Sequence, residues 1–273
     1  MRVLVTNDDG VHAPGLAALT RALTRWAGDE HEVVVVAPLA NHSGASAAVG
    51  TVYEREAISY RRVDVEGAEG VQAYGVDASP ALAVLVGSLG GFGPRPDVVV
   101  SGINLGVNVG RSVLHSGTVG ATLAGAQLGL RGLAVSLRSG FPPEQWSTAS
   151  AVAVGVLPAL FAAPARTVLN LNVPSIPLAA LRGVRRARIS TSGIVKSATG
   201  GGPEEGEVRL ALGAAIPTLG RLEDTEDPED DAALVAAGYA ALTPLVGVQE
   251  DTAPGADEVV RAALDHLRAL HIC

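Results

Sequence analysis

Two adjacent carboxylates near the start of the chain, Asp8 and Asp9, are the side chains best suited to chemistry. Two more short oxygen-bearing side chains, Ser43 and Asn104, follow other apolar segments. Carboxylate, hydroxyl and amide oxygens are hard ligands that suit Mg²⁺ or Mn²⁺ better than a soft metal. Two carboxylates also neutralise a divalent ion and leave coordination positions for water and substrate. The pattern predicts a cation site formed by these four residues.

The same residues also allow a structural interpretation. The sequence Asn7-Asp8-Asp9-Gly10 is a common loop composition, and Asp often caps a helix. Ser43 could satisfy backbone groups of its own loop, and Asn104 could brace the loop that it begins. These alternatives stay open for each residue taken alone.

A second group of small polar residues suits an anion. It consists of Asn108 and of Ser116, Gly117 and Thr118, which precede a predicted helix. Glycine lets backbone amides approach an anion closely, hydroxyls donate hydrogen bonds, and a helix N-terminus favours phosphate. A cation beside such a cradle suits phosphoester hydrolysis, because it polarises a phosphoryl oxygen and lowers the pKa of bound water.

Other residues of these loops carry weaker signals. The spacing of Gly102, Gly106 and Gly110 does not match the usual dinucleotide-binding pattern, so no nicotinamide cofactor is predicted. His42 and His115 lie in the same loops, and His12 follows the acidic turn. A lone histidine is more often structural than catalytic.

These residues need a scaffold that brings the ends of separate segments together. Apolar runs predict strands at residues 2–6, 31–38, 73–76, 97–100, 133–137 and 167–172. Helical periodicity predicts helices at 14–26, 81–89 and 145–161, and a further helix that begins after Thr118 and ends at 128. The alternation implies an α/β fold, with a mainly parallel sheet and helices on both faces. The carboxyl ends of parallel strands share one edge, where such folds place their sites.

The pattern changes after Pro174 and Pro177, so we expect a first domain at 1–177 and a C-terminal extension at 178–273, as parts of one fold unit. The extension is predicted to contain a hairpin with strands 184–190 and 208–212 around a Gly-rich loop at 199–206. A solvated acidic loop (224–231), a strand (239–245) and an amphipathic helix (257–270) follow. That helix could cap its own domain or exchange between subunits.

Composition excludes several classes of protein. The chain has 273 residues, 48% of them hydrophobic, and a net charge of −8, so it has no general basic surface for nucleic acid. Its only cysteine, Cys273, excludes an intramolecular disulfide and a cysteine-based zinc site. The longest uncharged run, 149–165, is shorter than the roughly 20 residues of a spanning helix. No secretory signal is evident, and a cytoplasmic location is expected.

Several stretches together resemble a known family, the SurE family of survival-protein-E nucleotidases. They are VTNDDGVHAPGL at 5–16, SGAS at 43–46, VVVSGINLGVNVG at 98–110 and SGTVGA at 116–121, with weaker matches in LNLNVP at 169–174 and GYAALTPL at 238–245. The similarity covers about the first two thirds of the chain. It implies a Rossmann-like domain with a C-terminal extension used in dimer and tetramer contacts.

The resemblance also implies an activity and a set of site residues. Members are divalent-metal phosphatases of nucleoside 5′- and 3′-monophosphates, and some act on short polyphosphate. Asp8, Asp9, Ser43 and Asn104 match the family's metal ligands, and the phosphate site is matched by Asn108, Ser116, Gly117 and Thr118. We therefore expect one Mg²⁺ or Mn²⁺ per subunit, a small nucleotide substrate and a homodimer or homotetramer. Water is the expected nucleophile, with Asp8 or Asp9 as a further activator; attack by a carboxylate stays open.

The chain departs from the family pattern at several positions near the predicted site. His42 stands where the family usually has Arg, His115 where Tyr is common and Ala124 where Glu is usual, and 78–83 also differs. These departures leave two alternatives: a phosphatase of another small phosphorylated metabolite, or a nucleotide-binding homologue without catalysis. An unrelated Rossmann-like transferase is a third.

Overall fold

The protein is described here by a computed structural model, which covers residues 1–50, 52–54, 56–140, 143–191, 195–200, 208–212 and 227–269. The strands are β1 (Arg2–Thr6), β2 (Glu32–Pro38), β3 (Tyr60–Arg62), β4 (Gln72–Val76), β5 (Val98–Leu105), β6 (Arg131–Leu137), β7 (Val168–Val173), β8 (Val184–Arg186), β9 (Val195–Gly200), β10 (Val208–Leu212) and β11 (Ala240–Leu245). The helices are α1 (Pro14–Ala27), α2 (Pro80–Ser88), α3 (Gly117–Gln127), α4 (Trp146–Ala162), α5 (Asp231–Ala236) and α6 (Pro254–Ala269).

Nine strands form one sheet in the order β3-β4-β2-β1-β5-β6-β7-β11-β8. The six strands from β4 to β7 in this order are parallel, and β3 and β11 pair antiparallel with β4 and β7. This arrangement confirms the predicted α/β fold with a mainly parallel sheet. The acidic turn after β1 therefore lies at the centre of the sheet, next to the ends of β2 and β5.

Apolar side chains on both faces of the sheet hold the helices in place. Val3 and Val5 of β1 belong to a core shared with α1 and α4, whereas Leu4 belongs to a second core shared with α2. Each is at most 1% exposed, and burying such a side chain contributes about 1.5–3 kcal/mol. The continuous Val and Leu runs of the central strands follow from this burial on both faces.

None of the helices in the described ranges combines the length and apolar character needed to cross a bilayer. The predicted run at 149–165 falls largely within α4, which packs against α1 and the sheet.

Two predictions for the C-terminal part were wrong. The strand β10 pairs antiparallel with β9, not with the segment at 184–190, and β8 instead joins the main sheet beside β11. Residues 230 and 231 of the predicted acidic loop are buried. Asp230 caps α5 by accepting the Ala233 N–H at 2.7 Å, and Asp231 accepts the N–H groups of Gly110 and Ser190. Residues 201–206, 224–226 and 270–273 lie outside the described ranges.

Candidate functional site

The acidic turn begins where β1 ends, at Thr6. The Asn7 side chain donates a hydrogen bond to the Gly10 carbonyl at 2.9 Å and so closes the turn. Gly10 has a φ of +102°, a conformation that glycine adopts without a steric penalty. Asp8 is only 3% exposed, whereas Asp9 is half-buried. The turn thus presents two carboxylates of unequal burial at the carboxyl edge of the sheet.

Asp8 is bound by the first turn of α3. The Thr118 hydroxyl donates to Asp8 Oδ1 at 2.6 Å, and the backbone amides of Gly117 and Thr118 also favour the ionised carboxylate. A Cβ at position 117 would lie 2.7 Å from Asp8 Cβ, so this approach requires glycine. The carboxylate therefore sits at a helix N-terminus, where negative charge is stabilised.

The pKa values of both carboxyls are raised above their ordinary value. Burial is the largest cause for each, and it exceeds the lowering by the Thr118 hydroxyl at Asp8. At Asp9 the charge of Asp8 raises the pKa further, and the Leu105 backbone amide lowers it. Two neighbouring carboxylates out of water disfavour each other's ionised form, and a bound cation would reverse this. This charge arrangement fits the predicted cation.

Strand β5 continues beyond the predicted strand end at residue 100 to Leu105, so Asn104 lies within the strand and not in the loop predicted to follow it. An irregularity in β5 brings it to this edge. The register between β5 and β6 shifts between Ser101 and Asn104, as in a β-bulge. Gly102, with a φ of +133°, allows the bend, because a Cβ there would collide with the Val135 carbonyl. Asn104 Nδ2 donates to the Gly106 carbonyl at 2.6 Å. The Asn104 Oδ1 is therefore the atom that could serve as a metal ligand.

The loop after β2, which contains Ser43, contacts the acidic turn through the residue before Ser43. The His42 N–H donates to the Asp8 carbonyl at 2.7 Å, so Ser43 follows a residue bonded directly to the acidic turn. The Ser43 N–H donates to Asn41 Oδ1 at 2.7 Å, and its side chain is exposed. His42 thus contacts the acidic turn through its backbone N–H.

Ser116 and Thr118 have structural partners of their own. Ser116 Oγ caps α3 by accepting the Val119 N–H at 3.1 Å, and the Thr118 hydroxyl donates its hydrogen bond to Asp8. Thr118 lies within the first turn of α3, not before the helix as predicted. The predicted phosphate cradle therefore shares its residues with the support of Asp8.

Asn108 is hydrogen-bonded to side chains of β6 and β7. Its Nδ2 donates to Ser136 Oγ at 2.8 Å, and its N–H donates to Asn172 Oδ1 at 2.7 Å. Its carbonyl accepts from Asn170 Nδ2 at 2.8 Å and from Asn172 Nδ2 at 2.9 Å. Ser136, Asn170 and Asn172 are fully buried, and sequence reasoning did not assign them to the site. The available signal was the polar residue at every second position of the LNLNVP stretch.

A buried carboxylate from the C-terminal part supports the same loop. Asp231, fully buried in α5, accepts the N–H groups of Gly110, Ser190 and Ala232 at 2.9–3.1 Å. Burial raises its pKa to about 6, against the effect of these N–H donors. Gly110 follows Asn108 by two residues, so α5 and the loop of the predicted phosphate site are directly connected.

Among the described residues, no group of three or more His, Cys, Asp and Glu side chains is arranged to hold a metal ion. A cation at this edge would therefore depend on Asp8 and Asp9 with neutral oxygen donors. That donor set is typical of hard cations such as Mg²⁺ and Mn²⁺.

Comparison with known proteins places this geometry in context. The family model described as Survival protein SurE matches residues 3–196. The 5′/3′-nucleotidase SurE of Cronobacter sakazakii is 39% identical over 247 residues, covering 90% of each chain. The 5′/3′-nucleotidase SurE of Salmonella paratyphi B is 38% identical over 269 residues, 97% of each.

A solved structure agrees with these relatives. The SurE protein from Aquifex aeolicus superposes with a TM-score of 0.72 at 27% identity, over 92% of this chain and 95% of the other. The acidic turn, the bulged strand carrying Asn104 and the first turn of α3 all lie within the matched residues. The chain belongs to the SurE family.

Proposed function

We propose that this protein is a divalent-metal-dependent phosphomonoesterase that hydrolyses nucleoside 5′-monophosphates, and also 3′-monophosphates, to nucleoside and phosphate. The observation that carries the proposal is the pair of adjacent carboxylates, Asp8 and Asp9. Asp8 is anchored to the N-terminus of α3 by the 2.6 Å hydrogen bond from Thr118. The relatives named 5′/3′-nucleotidase supply the substrate class.

The cation would be held by Asp8, Asp9, Ser43 and Asn104, one per subunit, and either Mg²⁺ or Mn²⁺ suits these donors. When bound, such an ion polarises a phosphoryl oxygen and lowers the pKa of water. The raised pKa values of the two carboxyls support this assignment, since a cation would offset the burial that raises both and the charge of Asp8 that further raises the pKa of Asp9.

The chain's own residues divide the remaining tasks. The phosphate would be bound at the N-terminus of α3, where anions are favoured, by Asn108, Ser116, Gly117 and Thr118. Asp9 is more exposed than Asp8 and would accept a proton from the attacking water. The water oxygen bonds to phosphorus, the ester P–O bond breaks, and the nucleoside oxygen takes a proton from solvent.

Water suits the role of nucleophile better than either carboxylate. Asp8 Oδ1 accepts the short bond from Thr118, and Asp8 is further engaged by the amides of α3. Lone pairs committed to these donors are less available for attack on phosphorus.

The proposal is tested by phosphate release from a panel of nucleoside monophosphates with Mg²⁺ or Mn²⁺, with and without chelator. We expect release that stops on chelation and falls at least about 100-fold in Asp9→Asn, the loss typical of removing a general base. Asp29→Asn is the matched control, because Asp29 is exposed in the turn between α1 and β2, away from the site. Nucleotide binding without turnover, unaffected by Asp9→Asn, would contradict the proposal.

We also propose a cytoplasmic homodimer or homotetramer assembled through the extension at 178–273. Val259 and Val260 of α6 are 70% and 57% exposed, and an apolar stripe of this kind suits burial against a second copy. Sedimentation should show a smaller particle for the Val260→Glu variant than for the wild type. Arg261→Glu, a change at the adjacent residue of the helix, controls for added charge. An unchanged mass for Val260→Glu would argue against this contact.

A further inference from the structure

A cavity of about 430 Å³ opens directly beside Asp9. Its walls include Leu39, Leu105 and Trp146, and His12 lies at its edge. This volume falls within the range of small-molecule pockets, roughly 300–1,000 Å³. The cavity is separate from Asn108 and Ser116–Thr118, which do not line it, so it would receive a part of the substrate other than the phosphate.

Leu105 connects the cavity to the acidic turn. Its backbone amide favours the ionised form of Asp9, and its side chain, 44% exposed, forms part of the cavity wall. Leu105 also follows Asn104 directly. A ligand in the cavity would adjoin Asp9, which is both a carboxylate and a proposed cation ligand, as the organic part of a phosphate ester must.

Trp146 is the first residue of α4 and packs against α1. Its ring packs closely on Gly15 of α1. A Cβ built at Gly15 would come within 2.9 Å of Trp146 Cζ3 and would also collide with the Ile103 carbonyl, so this packing requires glycine. The side chain is half-buried and packs against the core on one side. An indole that packs on one side and stays partly accessible is suited to stacking against a planar ring.

The charge of the cavity favours a neutral planar group. Of the described residues that line it, only Asp9 and His12 carry ionisable side chains, and Arg and Lys are absent from them. A second phosphate or a polyphosphate tail would face a carboxylate there without a cationic partner. A bare sugar would leave the walls formed by Leu39, Leu105 and Trp146 without a complementary surface.

We propose that this cavity binds the base of the nucleotide substrate, with Trp146 as its stacking partner and Leu39 and Leu105 as apolar walls. The assignment rests on the proposed nucleotidase function and adds to it a specificity-determining residue. A neighbouring cavity between α1 and α4 also borders Trp146, but it is lined by Arg21 and Arg25 and does not include Asp9.

The first test compares AMP with ribose 5-phosphate, which lacks the base. In Trp146→Ala the ratio of kcat/KM for AMP to that for ribose 5-phosphate should fall about 5- to 150-fold, the effect of losing one base–aromatic stack. Trp146→Phe should retain most of the ratio, because it keeps an aromatic face. Trp26→Phe is the control, since Trp26 packs on Phe161 and does not line this cavity. Equal losses for both substrates in Trp146→Ala would indicate a structural role and overturn the proposal.

The second test does not depend on turnover. The chain has two tryptophans, so Trp26→Phe leaves Trp146 as the only indole. Adenosine should quench its fluorescence saturably, ribose should not, and the reciprocal Trp146→Phe variant should show no saturable change. Absence of quenching in Trp26→Phe would overturn the base site even if phosphate is released. Quenching without phosphate release from any nucleotide would instead overturn the proposed hydrolysis and retain the base site.

Discussion

Asp231 accepts the backbone N–H of Gly110 through both carboxylate oxygens, at 3.1 and 3.0 Å. The two residues are 121 positions apart, and Asp231 lies beyond the residues matched by the family model. The same carboxylate accepts the Ser190 N–H at 3.1 Å, so one fully buried group links α5, the segment after β8 and the loop that follows Asn108. The extension thus contributes to the support of the candidate site.

The first prediction concerns the pH dependence of stability at Asp231. Its pKa is about 6 in the folded protein, against an ordinary value of 3.8, so the folded state binds more protons between these values. The free energy of unfolding that depends on Asp231 is therefore highest below about pH 4. It falls as the pH rises through 6 and is constant above that. The total change is about 3 kcal/mol. Urea unfolding of the wild type and Asp231→Asn at pH 4–8 should show their difference in free energy changing by this order. A difference independent of pH would contradict the prediction.

The second prediction concerns Thr118. Thr118→Val removes the 2.6 Å hydrogen bond to Asp8, and hydrogen bonds to charged groups contribute about 1.5–3 kcal/mol. We expect kcat/KM for phosphate release to fall about 10- to 100-fold. Because the hydroxyl lowers the pKa of Asp8, the acid limb of the pH–rate profile should also move to higher pH. Thr118→Ser should keep both properties, whereas an unshifted acid limb in Thr118→Val would count against this role.

Thr24→Val is the matched control for Thr118. Its hydroxyl donates only to the Thr20 carbonyl within α1, at 2.8 Å. The pH–rate profile of this variant should coincide with that of the wild type.

The third prediction concerns the contact between Gly117 and Asp8. In Gly117→Ala the new Cβ would lie 2.7 Å from Asp8 Cβ and 2.9 Å from Oδ2, so the carboxylate or the helix must move. Overpacking of this kind costs about 1–3 kcal/mol of folding free energy. Phosphate release should fall at least about 10-fold, since a displacement of the proposed ligand misaligns the site. Activity close to wild type would show that the contact can relax.

Gly155→Ala is the control for Gly117→Ala, because the same substitution is expected to stabilise the protein at this position. Gly155 is exposed in α4 and nothing lies within 4 Å of a Cβ built there. The variant should gain about 0.5–1 kcal/mol of stability and keep its activity. Denaturant unfolding of the two alanine variants therefore tests the packing argument directly.

The fourth prediction compares two buried asparagines of β7. Asn172 both donates to the Asn108 carbonyl and accepts its N–H, whereas Asn170 only donates. Asn172→Ala leaves the Asn108 N–H without this acceptor, and an unsatisfied buried group costs about 1–3 kcal/mol. We expect Asn172→Ala to lower both stability and kcat/KM more than Asn170→Ala does. A reversed order would show that Asn108 is not positioned mainly by Asn172.

Local patterns predicted the central strands, most of the helices and the residue types of the acidic turn, but not β9 or α5. Continuous Val runs predicted β1, β2 and β5, and Pro14 marked the start of α1. The partner of β10 was wrongly predicted, because strand patterning does not specify which strand pairs with which. The acidic run at 224–231 indicated solvent exposure, and only tertiary contacts with Gly110 and Ser190 explain why Asp231 is buried.

The sequence alone determined that Asp8 and Asp9 follow a buried strand, that Ser43 follows a second, and that Asn104 comes shortly after the Val run of a third. It also predicted that parallel strands would bring these residues to one edge. These are properties of periodicity and chain order, which act over a few residues. The tertiary structure decided that Asn104, Ser136 and Asn172 are paired in register across β5, β6 and β7. It also decided that Thr118 donates to Asp8 and that Asp231 holds Gly110. Such contacts depend on strand register and helix position to within an ångström or two, which no short stretch of sequence encodes.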